Sequence, residues 1–305
     1  MSQLQVIKPT FITDSTFVSS TAPESDYSAW NSGTSYAVGD YCIRTSTHRI
    51  YYCLVANTNK TPESNLTGTL PYWLDAAPTN RWACFDSQNS TKTVLASPLT
   101  IVINPGIVNS MALMSISGTL AHITQVKDGV TVYDRYVALD GTIIFDWYSY
   151  FFEPFSSETP WTLVDVVLND IPPYGGQITV TITGRTISLG SLIVGSIYSI
   201  GDVLYGASFG ITSYSVKNTD AFGATTFVKR ANSKHLSFPL LLDNSSLAYY
   251  YKLLSDLESV PCVWIGSIET SLHNVLTTLG FYKDFVVTIP YPFYSTCTLE
   301  IEGLI

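Results

Sequence analysis

The chain has 305 residues, 46% apolar and only 13% charged, with a net charge of −9. Ordinary soluble proteins carry roughly 25% charged residues, so this chain either works outside a cell or hides much of its surface in an assembly. The balance of 24 acidic to 15 basic residues argues against a nucleic-acid surface, which needs a basic footprint.

A chain of this length holds two or three domains. Residues 1–24 alternate apolar and polar positions, with Pro9 interrupting the pattern around Val6, Ile7, Phe11 and Ile12. The pattern predicts an extended N-terminal arm or one edge strand, followed by a Ser/Thr linker. Arms of this kind often dock on a neighbouring subunit.

Residues 25–88 form an aromatic module. Tyr27, Trp30, Tyr36, Tyr41, Tyr51, Tyr52, Tyr72, Trp73, Trp82 and Phe85 are separated by turn residues, with short strands at 41–44 and 50–55. A module of this size has too little interior to bury them all. Some rings should face solvent among Asn, Thr and Asp, a setting that suits flat sugar faces and protein hot spots. Tyr36, Tyr72 and Trp73 are the rings expected to be exposed and to touch carbohydrate; the alternative is a small β-module whose aromatics are mostly its own core, serving as a spacer or a protein contact.

Residues 89–195 read as an antiparallel β-sandwich. Apolar runs fall at 99–103 and 110–116. Asp128-Gly129 and Asp140-Gly141 each separate two strand-like runs, the strongest short hairpin signal, and Gly184-Arg185 marks a third hairpin over 178–194. The run Trp147, Tyr148, Tyr150, Phe151, Phe152 and Phe155 reads as a core or inter-domain seam, with an exposed binding surface as the alternative.

Residues 196–305 read as α+β. Strands are expected at 210–216, 225–229, 236–242, 261–265, 281–289 and 296–301. Leu247, Tyr250, Tyr251, Leu254 and Leu257 share one face of a helix over 246–258, capped by Asn244-Ser245-Ser246 and ended before Pro261. A second short helix at 271–279 and a loop are both compatible with the spacing. The fold class is therefore mainly β: a small aromatic β-module, a β-sandwich and a C-terminal α+β domain.

No enzyme, metal or cofactor site emerges. Gly206-Ala207-Ser208-Phe209-Gly210 fits the nucleophile-elbow pattern, but strand-like sequence follows where a helix is required. His48, His122, His235 and His273 form no metal-binding pair, and the five cysteines, Cys42, Cys53, Cys84, Cys262 and Cys297, form no C-x-x-C unit. No disulfide framework is expected, although Cys42 and Cys53 could face each other across a hairpin. Asp140, Asp146 and Glu153 keep aromatic company like glycosidase carboxylates, yet Asp is ordinary in turns. The basic stretch from Lys229 to Lys234 is a solvated turn, or a contact to an acidic neighbour. The N-terminus lacks the basic and apolar regions of a signal peptide, and no run of ~18 apolar residues exists. Synthesis in a cytoplasm, with no membrane insertion, is expected.

Two resemblances add to this. Trp30, Tyr36, Gly39-Asp40, Tyr52-Cys53, Pro62 and Trp73 resemble the small chitin-binding carbohydrate modules of families 5 and 12 in order and spacing. That family usually carries a further Trp before the Pro, where this chain has Asn59-Lys60-Thr61. The segments around residues 80–86, 97–100, 141–154, 225–230, 261–266 and 299–304 resemble tail-associated structural proteins of tailed bacteriophages and prophages. This implies a virion component of tail or baseplate, made in the bacterial host cytoplasm, present in several copies around the tail axis and touching other tail proteins. Its C-terminal domain would dock on the tail, and its module would touch host surface glycan or a neighbouring protein. The alternatives are a purely structural adaptor without sugar binding, and a cell-wall glycoside hydrolase with a binding module.

Overall fold

Period-two apolar patterning dominates this sequence, and it folds accordingly as a mainly β protein, with one short α-helix given a full span among the described residues. The computed structural model describes residues 2–88, 90–139, 151, 164–219, 222–223, 225–267 and 275–304. The N-terminal segment holds β1 (Gln3–Thr10) and β2 (Phe17–Ser20). The aromatic module holds β3 (Ser35–Tyr36), β4 (Tyr41–Arg44), β5 (Arg49–Cys53), β6 (Asn57–Thr58) and β7 (Trp73–Pro78). Next come β8 (Thr93–Leu95), β9 (Leu99–Ile103), β10 (Ser110–Met114), β11 (Leu120–Lys127), β12 (Val130–Ala138), β13 (Val166–Leu168), β14 (Gln177–Thr183) and β15 (Ile187–Leu189). The remainder holds β16 (Ser191–Val203), β17 (Ser208–Ser213), β18 (Val216–Thr219), β19 (Thr225–Val228), β20 (Asn232–Asp243), helix α1 (Leu247–Asp256), β21 (Cys262–Ile265), β22 (Thr277–Thr288) and β23 (Tyr294–Gly303).

A five-stranded sheet, in the order β12-β11-β14-β9-β2, packs on β13, β10 and β16 of a nine-stranded sheet. Leu99, Ile101, Ile103, Ile123, Ile178, Val180 and Ile182 point inward from one layer. Met111, Leu113, Leu192 and Val194 meet them from the other, all in one buried cluster. Each such side chain contributes ~1.5–3 kcal/mol on leaving water. Asp128 and Gly129 turn β11 into β12 with φ of 51° and 80°, the left-handed pair that a two-residue hairpin demands. The third expected hairpin does not form: β14 pairs with β9 and β11, whereas β15 crosses to β8 and β16 joins the other sheet. Turn chemistry at Gly184-Arg185 marks a change of direction there, without a strand returning alongside. The Asp140-Gly141 hairpin, the carboxylates Asp140, Asp146 and Glu153, and most of the aromatic run lie outside the described residues.

The boundary expected at 195 falls inside β16, which serves both halves. Its first residues pair with β10, its length pairs with β1, and its end pairs with β20 through Asp202↔Leu241 and Val203↔Leu240. Because β16, β1, β21, β22, β23 and β20 follow in order, that last pairing closes six strands on themselves. Leu4, Val6, Phe238, Trp264, Leu299 and Ile301 fill one cluster with Leu253, Leu254 and Leu257 of the α1 region. The helix is shorter than its periodicity predicts, and Tyr251 faces solvent. Asp243, rather than Asn244 or Ser246, supplies the capping carboxylate, accepting from the Ser245 amide in the preceding 3-10 turn.

The first strand is neither a free extended arm nor an edge strand. β1 lies between β16 and β21 inside the nine-stranded sheet, with Leu4, Val6 and Ile7 fully buried. Pro9 is tolerated because β21 pairs only with Gln5–Ile7, so no ladder bond is lost on that side. Opposite Pro9 stands Gly195, where a Cβ would come within 1.9 Å of the Lys8 carbonyl oxygen. Alternation reveals a strand, but its partners lie some two hundred residues away in sequence and leave no local trace.

Candidate functional site

The aromatic module separates its rings by strand parity. In the three-stranded sheet β4-β5-β7, Cys42 pairs with Tyr51 and Cys53 with Trp73, and these side chains point inward. Tyr41 pairs with Tyr52, and Tyr52 with Leu74, on the opposite face. One shift of register would exchange the two sets.

The inner set is core. Trp73 is 0% exposed, its indole N–H donates to the Lys60 carbonyl at 2.9 Å, and Tyr36 meets it edge-on at 5.1 Å. Tyr36 is 8% exposed, and its hydroxyl accepts from the Asn31 amide at 2.8 Å. Neither ring has a face free for a sugar, which corrects the expected exposure of Tyr36 and Trp73. Tyr72 is half-buried at the edge of this cluster, with the Lys60 ammonium 5.2 Å from its ring centre. The spacing of Tyr36, Gly39 and Asp40 thus records packing: Gly39 takes φ +99° and Asp40 accepts from the Ala37 amide at 2.7 Å, closing the turn that delivers Tyr36.

The outer set reaches solvent through Tyr27, Tyr41 and Leu74, while Tyr52 is half-buried between them. Tyr27 stacks on Tyr41 at 4.8 Å and 15°, and Tyr41 meets Tyr52 at 5.0 Å. Tyr27 and Tyr41 are 44% and 42% exposed, and Leu74 continues the stripe across β7 at 51%. Tyr27 is brought there because Ser28 and Trp30 bond to Ile43 of β4, laying the chain beside the sheet edge. The three phenol hydroxyls have no hydrogen-bond partner among the described residues. An amphipathic ring stack with unused O–H groups offers apolar contact and hydrogen bonds together. Sequence reasoning missed it because Tyr41 and Tyr52 look like any strand aromatics until the sheet fixes which parity faces the core.

The module is clasped to the sandwich through His48, held at φ 55° in the β4–β5 turn. Its Nδ1 lies 2.8 Å from Glu24 and its Nε2 2.8 Å from Asp14, while its ring stacks on Trp82 at 4.0 Å. Glu24 also accepts from Thr79 at 3.1 Å and lies 3.7 Å from Arg81. Trp82 contacts Phe17, and Phe85 packs against the sandwich core, so these two rings belong to the junction and not to a sugar site. An open groove of about 590 Å³ runs between Asp14, His48, Trp82 and Asp86. Burial raises the Asp86 carboxyl above its ordinary value.

The remaining chemistry stays bland. Ser208 opens the strand β17, and no helix follows it. Among the described residues no three His, Cys, Asp or Glu side chains are grouped to hold a metal ion, and no helix is long and apolar enough to cross a membrane. All five cysteines are buried and free. Cys42 lies opposite Tyr51 and Cys53 opposite Trp73, so the two are not cross-strand partners. Burial pushes the thiols of Cys42, Cys84 and Cys262 up to about 12 and Cys297 to about 11. Thiols so placed are inert as nucleophiles. No protein-family model matches the chain, and no curated protein matches it in sequence.

Proposed function

We propose that this chain is a structural, non-catalytic subunit of a bacteriophage tail or baseplate, assembled in several copies, whose aromatic module makes the outward contact. The observation that carries the contact is the exposed Tyr27–Tyr41 stack, with half-buried Tyr52 tilted against it and exposed Leu74 beside it. Host surface glycan is the ligand class it suits, since ring faces take apolar sugar surface and free phenols take hydroxyls. The virion setting rests on the segment resemblance and on the charge-poor composition. Glycan-array binding of the purified chain and of Tyr41→Ala tests the contact: retention by wild type and loss in the variant support it, and equal behaviour removes it.

A purely structural adaptor is the second reading. It is favoured by Trp73 and Tyr36 lying in the core, because the sugar-module motif then specifies a fold and not a binding face. An absence of glycan retention, with the tyrosine stack covered in the assembled particle, selects this reading.

A further inference from the structure

Strands β17 and β20 form a hairpin that runs on, through Tyr214 and Ser215 on one side and Arg230 and Ala231 on the other, into the ribbon β18–β19. The ribbon strands pair only with each other, and every one of their residues except Val216 is exposed. A two-stranded ribbon with both faces in water is marginal. This one also carries Phe227 at 72% exposure, with Phe222 at 96% beyond it and Ile211 at 75% on the edge strand before it. Apolar side chains left this exposed are open to contact with another surface.

Its charge selects the partner. Lys217, Lys229 and Arg230 sit on and beside the ribbon and make no ion pair among the described residues, in a chain whose net charge is −9. On the outer face of the closed barrel, Asp284 of β22 and Glu300 of β23 stand directly opposite one another in register. They too have no ion pair among the described residues. Like charges directly opposite destabilise a ladder, so this site gains from incoming cations. The two carboxylates line an open groove of about 400 Å³ with Val286, Leu204 and Pro239, which gives it apolar walls.

We propose that the basic, apolar β18–β19 ribbon of one copy docks in the acidic Asp284–Glu300 groove of the next, a head-to-tail contact between identical chains. Different patches meet, so the contact is heterologous and propagates to a ring or a filament. The inference rests on the reading of the chain as a multi-copy subunit, and names the surfaces through which copies meet.

Sedimentation of the full chain at rising concentration and at low and high salt reads the association. Wild type should assemble, and screening should weaken assembly as salt rises. Lys229→Glu with Arg230→Glu should weaken it by at least about a hundredfold, since like-charge juxtaposition across an interface costs several kcal/mol. Asp284→Lys with Glu300→Lys should do the same. Mixing the two variants should restore assembly, because each ribbon then meets a groove of opposite sign, and a misfolded variant would not be rescued. A wild-type chain that stays monomeric overturns the inference, as does assembly that neither reversal disturbs. In the latter case the multi-copy reading survives while these surfaces do not.

Discussion

Replacing Trp73 by alanine should unfold the aromatic module, whereas replacing Tyr41 should leave it folded and remove its outer face. Trp73 is 0% exposed, bonded to the Lys60 carbonyl and packed edge-on by Tyr36. Truncating a buried Trp costs ~3–5 kcal/mol, and the Lys60 carbonyl left without its donor adds to the loss. A module of this size, at ~0.1 kcal/mol per residue, is stabilised by only ~6 kcal/mol. Most of its stability therefore disappears with one ring. Tyr41 is 42% exposed and loses two ring contacts, worth ~0.5–1.5 kcal/mol each, which the module survives. Hydrogen exchange at the β5 amides, Arg49–Cys53, separates the cases: protection should collapse in Trp73→Ala and persist in Tyr41→Ala. Full protection in Trp73→Ala would refute the assignment of that ring to the core.

Other consequences follow from the same geometry. Gly195→Ala should prevent the β1–β16 pairing, because the new Cβ would meet the Lys8 carbonyl oxygen at 1.9 Å; soluble yield and melting temperature should both fall sharply, and a melting temperature within a degree of wild type would count against the pairing. The five cysteines should resist alkylation at pH 8 in the native protein and react only in denaturant, since they are buried and four have thiols held near 11 or 12. Fast labelling of any one in the native state contradicts its burial. His48→Ala should cost ~1–3 kcal/mol by stripping Glu24 of a partner, and should free the module from the sandwich, seen as faster proteolysis near residues 20–27; unchanged cleavage would mean the clasp holds nothing. For Asp86 burial is the largest influence, and the carboxyl is raised above its ordinary 3.8. The folded state therefore binds the proton more tightly than the unfolded one, and stability from this group is present at low pH and lost as pH rises through the raised value. Asp86→Asn should gain stability relative to wild type across that same window, and a difference flat with pH would rule the effect out.

Local chemistry was readable and long-range partnership was not. The turn at Asp128-Gly129 announced itself because few residue pairs accept two successive positive φ values. The helix near 247–256 showed through Leu247, Tyr250 and Leu254 at helical spacing. By contrast, β1 carried the alternation of any strand, and nothing near Leu4 or Val6 says that they fill a barrel closed by β16 and β20. The ring count in the module correctly implied that some aromatics face water, but not which. Tyr51 and Tyr52 are adjacent, and only the pairing of β5 with β4 and β7 sends Tyr51 inward and Tyr52 outward. The spacing of Trp30, Tyr36 and Trp73 drew attention to rings that hold the module together, while the exposed stack rests on Tyr27 and Tyr41.

The most direct test of the structural-subunit account is electron microscopy of purified phage particles carrying a tag on the aromatic module. The account predicts several tags per tail, displayed at its outer periphery where the tyrosine stack can meet a host surface. Particles that assemble and infect without any tagged copy in the tail would contradict it.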